Sequence, residues 1–414
     1  MYLMSVGVLG RVTGAKNSTN TSQQQTNKMV VRYTPTTTMI FILHTNPSPV
    51  PTQRSMDVEG AHKRGATGFE VLAWSSVTLP RSGDLGSAHN QSDNYFEVLM
   101  LLCGRYRRTT MEATNSTRRL GESEFILNSD GSVFHLHLLP HQISPFIILV
   151  GDPDRVSLIG SLMTSIEYKV ENREFHTITG FYNGKRISAV SHGIGPDNID
   201  IVINELDALV NIDFETRTVK PLLTSLTLIR VGTSGSLQPD LLSGSYSIAE
   251  ISIGLDTVLH DYANADSVID SELSQAFIKH LNWNPKCGEP YAVHADPELV
   301  ERFYSLQSTV SHEFHFHRGI TIAAVGFYGP QGRELRLPVQ SPEINSLFTS
   351  FRYGDLHIAN YEMESGALAG LGKLLGHKVL TICCVINNRL SRSMETSYKG
   401  SMQELLQLVL ENIC

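Results

Sequence analysis

Five short, almost wholly apolar runs constrain this chain more than any other feature. They are Phe146-Ile-Ile-Leu-Val150, Ile187-Ser-Ala-Val-Ser191, Leu226-Thr-Leu-Ile-Arg-Val231, Ile320-Thr-Ile-Ala-Ala-Val325 and Val379-Leu-Thr-Ile-Cys-Cys-Val-Ile386. Unbroken apolar character, rather than alternation, predicts strands covered on both faces. Helical stripes separate them. Ile199, Val202, Ile203, Leu206 and Val210 share one face, with Asp197 or Asn198 as the expected cap. Ala367, Leu368, Leu371, Leu374 and Leu375 form a second stripe, ended by a left-handed Gly376. Met402, Leu405, Leu406, Val409, Leu410 and Ile413 form a third, opened by a Ser401-x-x-Glu404 capping box. Strands alternating with helices predict a single α/β domain over 122–414.

The first 121 residues lack this texture. Asn17-Ser-Thr-Asn-Thr-Ser-Gln-Gln-Gln-Thr-Asn27 and Thr34-Pro-Thr-Thr-Thr38 are biased tracts, and Pro47, Pro49 and Pro51 follow closely. Tyr95-Phe-Glu-Val-Leu-Met-Leu-Leu102 is an apolar island that reads as a short helix. The expectation for 1–121 is a disordered extension, or a start assigned too early, with Met111 in frame just before the ordered region. A net charge of −8 disfavours a generic partner of nucleic acid or anionic membrane. Five scattered cysteines without a repeated spacing suit free thiols in a reducing compartment. No apolar run reaches membrane-spanning length and no signal peptide is legible, so a soluble cytoplasmic protein is expected.

Polar clusters follow each apolar run: Gly151-Asp-Pro-Asp-Arg155, His192-Gly-Ile-Gly195, Gly232-Thr-Ser-Gly235, Phe327-Tyr-Gly-Pro-Gln-Gly-Arg333 and Asn387-Asn-Arg389. Ligands of α/β sheets bind outside the carboxyl ends of the strands. Gly151, Arg155, Arg230 and Thr233 together suit an oxyanion, through close backbone approach, forked donors and a hydroxyl. Taken singly, Gly-Asp-Pro is a turn and a lone arginine is solvated. Arg230 is more telling, because a cation at the end of a buried strand needs an anionic partner; the alternative is a buried ion pair. Gln331 and Arg333, two apart in extended backbone, would project to one side and read the edge of a planar base, or else decorate a loop tip. In Asn360-Tyr-Glu-Met-Glu364 the carboxylates could complement a helix dipole or accept bonds from vicinal sugar hydroxyls.

His312-Glu-Phe-His-Phe-His317 is not HExxH and offers no third ligand of the right type, so no metal is expected. Neither a lysine-bearing phosphate loop nor a dinucleotide glycine fingerprint is present.

Across 133–410 the motifs Phe134-His-Leu136, Gly151-Asp-Pro-Asp-Arg-Val156, Asn172-Arg-Glu-Phe175, Ser191-His-Gly-Ile-Gly195, Ile229-Arg-Val-Gly-Thr-Ser-Gly235, Phe327-Tyr-x-x-Gln-x-Arg333, Asn360-Tyr-Glu-Met-Glu-Ser365 and Asn388-Arg389 stand in one order. In that order the chain resembles the nucleoside phosphorylases, and among them the uridine phosphorylases. The resemblance implies a three-layer α/β/α fold around a mixed, partly barrel-like sheet. It implies phosphorolysis of uridine to uracil and ribose 1-phosphate, in nucleoside catabolism and salvage, with phosphate as co-substrate and no cofactor. Gly151, Arg155, Arg173, Arg230 and Thr233 would hold phosphate, His135, Glu362, Met363 and Glu364 the ribose, and Phe327, Gln331 and Arg333 the base. Arg230, Gln331 and Arg333 would carry catalysis. Arg173 and His135 would reach in from a neighbouring subunit of a homodimer or homohexamer, so partners are nucleoside, phosphate and further copies of the chain.

Three departures from the family pattern stand out. Pro196-Asp-Asn198 replaces Gly-Pro-Ser, Asn387 replaces an apolar residue beside the base, and the 390–399 lid is short. Val385-Ile-Asn-Asn-Arg-Leu-Ser-Arg392 lacks the aspartate of the purine enzymes, which favours a pyrimidine. A purine phosphorylase, a nucleosidase of the same fold, or a silent storage or regulatory homologue are the alternatives.

Overall fold

The computed structural model describes residues 118–308, 315–394 and 398–414, together with two strands nearer the start. The chain divides into two units, Met1–Leu102 and Cys103–Cys414. In the first, Lys28–Tyr33 and Thr37–Ile42 pair antiparallel. The rest of the expected disordered extension, up to residue 117 and including the Tyr95–Leu102 island and Met111, lies outside the described residues. Among the described residues no helix is long and apolar enough to cross a membrane.

The apolar runs form the frame of the second unit. Phe146–Val150 (β1) leads through helix Pro153–Leu162 (α1) to the hairpin strands Ser165–Asn172 (β2), Phe175–Tyr182 (β3) and Lys185–Ser191 (β4). Helix Pro196–Asn211 (α2) precedes Thr227–Ser236 (β5) and Tyr246–Gly254 (β6). Phe316–Ala323 (β7), Leu356–Glu362 (β8), helix Ser365–Leu374 (α3), Lys378–Asn388 (β9) and helix Lys399–Asn412 (α4) complete the frame.

Strand β5 is the hub. It pairs parallel with β1 on one side and with β9 on the other. From β9 the sheet continues antiparallel to β6, then parallel to β7 and β8. β8 returns to β5 through Asn360 opposite Ser236 and Tyr361 opposite Gly235, closing a five-stranded ring. From β1 the open arm runs through β4 and β3 to β2. Helices flank this sheet. On α2, Ile199, Val202, Ile203 and Leu206 are fully buried, and each such side chain contributes roughly 1.5–3 kcal/mol.

Several local expectations are corrected. β5 runs through Gly232-Thr-Ser-Gly235, and β9 includes Asn387 and Asn388, because ring closure extends both ladders past the apolar runs. Helix α2 is not capped by Asp197 or Asn198. Pro196 takes the first helical position and Gly195, at φ 94°, the cap, since proline has no N–H to satisfy. The capping box of the last helix does not form. α4 begins earlier, at Lys399, which places Ser401 inside it, and Glu404 accepts from the Tyr246 hydroxyl at 3.0 Å. Gly376 does adopt the left-handed conformation, with the His377 N–H bonding Gly372 O at 2.8 Å.

Candidate active site

The carboxyl ends of β1, β4 and β8 and the middle of β5 bring a set of charged groups together inside the protein. Arg230 enters from β5 and is only 4% exposed. Its guanidinium pairs with Glu362 at 2.8 Å and with Glu364, and its Nε donates to His192 Nε2 at 3.2 Å. Nη1 also lies 3.7 Å from Cys383 Sγ. Burial opposes the arginine charge, but Glu364 and Glu362 more than offset it, so its pKa rises above the ordinary value. The Cys383 thiol is pushed up to about 12 by burial and stays protonated.

The carboxylates have their own anchors. Glu362 accepts from Glu364 N–H at 2.9 Å and from Ser365 N–H at 3.0 Å and Oγ at 2.6 Å, at the start of α3. Glu364 accepts from Gly195 N–H at 2.8 Å, on the loop before α2. Burial raises the Glu364 pKa and Glu362 adds to the rise, against the pull of Arg230. Two negative groups and one cation leave this cluster with a net charge of −1, which an incoming oxyanion meets only with help from further cations.

One further cation, Arg155, lies near by, together with other residues expected in the site. Gly151 follows β1, and a Cβ there would stand 3.1 Å from Gly193 O and 3.7 Å from His192 Cε1. Arg155 sits in the first turn of α1, partly exposed, and its charge acts on His192 and Cys384. Thr233, also partly exposed, lies on β5 opposite Cys384. Met363 is partly exposed between the two carboxylates.

Gly232 is a close fit. A Cβ there would lie 2.5 Å from Nη1 of Arg230 and 2.9 Å from its Cζ, so the guanidinium occupies the space glycine leaves. Gly232→Ala is expected to push the guanidinium off its carboxylates and to destabilise the fold by about 1–3 kcal/mol, read as a lower melting temperature. A melting temperature equal to wild type would show that the side chain relocates at no cost.

Gln331 and Arg333, the pair expected to read a base, assemble differently from expectation. Gln331 ends a single 3-10 turn and Gly332 is left-handed at φ 63°, so the segment is not extended. The two side chains meet through the turn instead: Arg333 Nη1 donates to Gln331 Oε1 and, at 2.7 Å, to Phe327 O. The guanidinium stacks 3.9 Å from the Phe327 ring centroid and 5.6 Å from that of Tyr361. Burial lowers the Arg333 pKa from its ordinary value, yet guanidinium stays charged at any working pH. Tyr361 joins the two halves, because its hydroxyl donates to Gln331 O at 3.4 Å and it directly precedes Glu362. Phe327 is half exposed and Gln331 buried.

His135 and Arg173 gather in a second cluster. His135 Nδ1 is 2.7 Å from Glu205, and Asn172 Nδ2 donates to His135 O at 2.7 Å. Arg173 is exposed on the β2–β3 turn at φ 53°, its cation 5.9 Å from the Phe134 ring. Asn388 serves structure, bonding Gln238 O and Leu241 O, while Asn387 points its Oδ1 at Gly235 without a hydrogen-bond partner. Of the histidine cluster, His312 and Glu313 lie outside the described residues. Among the described residues no group of three or more His, Cys, Asp or Glu could hold a metal.

A family model described as the phosphorylase superfamily matches residues 145–413. The chain belongs to this superfamily. Among its relatives, a uridine phosphorylase of Thermococcus kodakarensis is 29% identical over 270 residues, 63% of this chain and 79% of the relative. A uridine phosphorylase of Escherichia coli is 26% identical over 291 residues, 68% of this chain and 97% of the relative. A purine nucleoside phosphorylase of Plasmodium falciparum is 30% identical over 138 residues, 33% of this chain and 51% of the relative. In structure, the chain resembles a nucleoside phosphorylase of Trypanosoma brucei reported to show uridine phosphorylase activity. That likeness has a TM-score of 0.62 at 23% identity, over 70% of this chain and 99% of that one. The fold is that of the nucleoside phosphorylases.

Sequence reasoning missed His192, Gly195 and Gly232 as site residues. His192 and Gly232 lay inside motifs already quoted, but only the fold shows that both touch Arg230.

Proposed function

We propose that the protein catalyses phosphorolysis of a pyrimidine nucleoside, uridine and phosphate giving uracil and ribose 1-phosphate. The observation that carries the reading is the convergence of Arg230 with Glu362 and Glu364, next to the Gly151 loop and joined through Tyr361 to Gln331 and Arg333. An oxyanion site, a diol-binding pair of carboxylates and a base-reading amide–cation pair stand in the order that a bound nucleoside needs.

In this reading phosphate lies over Gly151, Arg155, Arg230 and Thr233. A phosphate oxygen attacks C1′ as the C1′–N1 bond breaks, and that bond's electron pair leaves with the base. The phosphate dianion stabilises the positive charge growing on the sugar, while Gln331 and Arg333 stabilise the negative charge spreading into the uracil carbonyls. No carboxylic acid is required to protonate a uracil leaving group. Glu362 and Glu364 accept from the ribose hydroxyls with Met363 packing beside them, and Phe327 packs on base and sugar. The exposed Arg173 and the His135 beside it complete the site of a second copy, so the working unit is a homodimer or a homohexamer.

One assay tests this. Uridine, thymidine and inosine are incubated with and without phosphate, and release of free base is followed. The expected result is uracil formed from uridine only when phosphate is present. Base released without phosphate points to a nucleosidase, preferential cleavage of inosine to a purine enzyme, and no release from any of the three to a silent homologue.

A further inference from the structure

Within the phosphate site proposed above, one buried side chain has no assigned task. His192, the residue after β4, is fully buried. Its Nε2 faces the Nε–H of Arg230 at 3.2 Å, and its Nδ1 has no hydrogen-bond partner. Arginine is a donor at every nitrogen, so His192 Nε2 must be the acceptor. A neutral ring with an acceptor at Nε2 carries its proton at Nδ1, and the contact with Arg230 therefore sets the tautomer.

We infer that His192 is a positioning residue for phosphorolysis, holding the Arg230 guanidinium in the plane that presents its remaining N–H groups to phosphate. The geometry supports this in three ways. First, Glu362 and Glu364 hold the terminal nitrogens of the planar guanidinium but give no acceptor to its Nε–H edge. His192 closes that side. Second, the ring lies beside the Gly151 loop, its Cε1 at 3.7 Å from where a Gly151 side chain would begin. It thus spans the space between the loop that would cradle phosphate and the cation that would bind it. Third, burial, with the Arg230 and Arg155 charges, holds His192 well below the usual histidine pKa, so the acceptor lone pair is kept across the working pH range.

The carboxylates depend on His192 far less. Glu362 is held by Ser365 and the Glu364 N–H, and Glu364 by the Gly195 N–H, none of which involve the ring. Losing the acceptor should therefore disturb phosphate more than ribose. That selectivity separates a positioning role from a general structural one.

The test uses the full chain and two variants. His192→Phe keeps the ring volume without an acceptor, and His192→Gln restores an acceptor near the Nε2 position. For His192→Phe the KM for phosphate is expected to rise roughly tenfold or more, with the KM for uridine changed less than about threefold. His192→Gln should recover most of the loss. Direct titration with inorganic phosphate by calorimetry, without nucleoside, should show the same order: wild type, Gln variant, Phe variant. Three results would overturn the inference: equal rises in both KM values, no recovery by glutamine, or unchanged phosphate binding in the Phe variant. If the wild type itself neither binds phosphate nor cleaves nucleosides, the proposed function fails, and the inference with it. Failure of the variants alone leaves that function standing. Should the Phe variant not fold, the wild-type ring remains testable: long-range proton–nitrogen NMR correlations should show the Nδ1–H tautomer, and an Nε2–H tautomer would refute the assignment.

Discussion

Replacing Arg333 by alanine is expected to lower turnover of uridine about a hundredfold, while phosphate still binds as in the wild type. The expectation follows from where Arg333 sits. Its Nη1 is shared between Gln331 Oε1 and Phe327 O, and its flat face rests on the Phe327 ring, so its direction is set before any base arrives. A donor fixed in advance, half-buried and aimed where charge develops, costs no reorganisation during the reaction, and its loss is felt in kcat. Arg230 and the Gly151 loop hang on other strands and keep their contacts when Arg333 is removed. The measurement is steady-state kinetics with uridine, beside calorimetric titration of phosphate. Turnover equal to wild type would remove Arg333 from the chemistry, and lost phosphate binding would show that the two halves of the site are not independent.

Arg230→Met should be more damaging and of a different kind. It removes the cation that pairs with both Glu362 and Glu364, which are 4% and 5% exposed. Breaking a buried ion pair by deleting one partner costs about 3–5 kcal/mol, because the remaining charge is stranded. A fall in melting temperature on the order of 10 °C is expected, with phosphorolysis abolished. The loss should depend on pH. Burial already raises the folded-state pKa of Glu364, and without Arg230 it rises further. A carboxyl whose folded pKa exceeds its unfolded value, about 4.3, favours the fold when protonated, and that advantage disappears as pH climbs through the folded pKa. The variant's deficit should accordingly be smallest in acid and largest at neutral pH. Adding Glu364→Gln should recover much of the stability at neutral pH and none of the activity. A deficit that stays constant with pH would mean Glu364 is not the stranded charge.

The parts of this site that could be read from residue order are those whose partners are near in the chain. Gly151-Asp-Pro-Asp-Arg155 follows an apolar run, and a run that is apolar throughout announces a strand whose end can carry chemistry. The left-handed Gly376 was legible for the same reason: helix and stop signal are adjacent. Arg230 was legible as a buried cation in need of an anion, but not the identity of that anion. Glu364 is 134 residues further on, and it is brought to Arg230 by the closure of β8 onto β5. The N–H of Gly195 meets the same carboxylate over a separation of 169 residues, which explains why a local cap was expected at Asp197 or Asn198 and none was needed. The Ser401-x-x-Glu404 pattern misled for the converse reason. It has the right local spacing, but a tyrosine on β6 recruits the glutamate.

The bridge between Tyr361 and Gly235 has a mechanical consequence. The strand bearing Arg230 and the strand bearing Glu362 are hydrogen-bonded to each other, so these two sides of the site cannot swing apart like jaws. Under the proposed function, passage of a nucleoside then falls to the parts at the rim, foremost the Phe327–Arg333 turn, where Phe327 is half exposed.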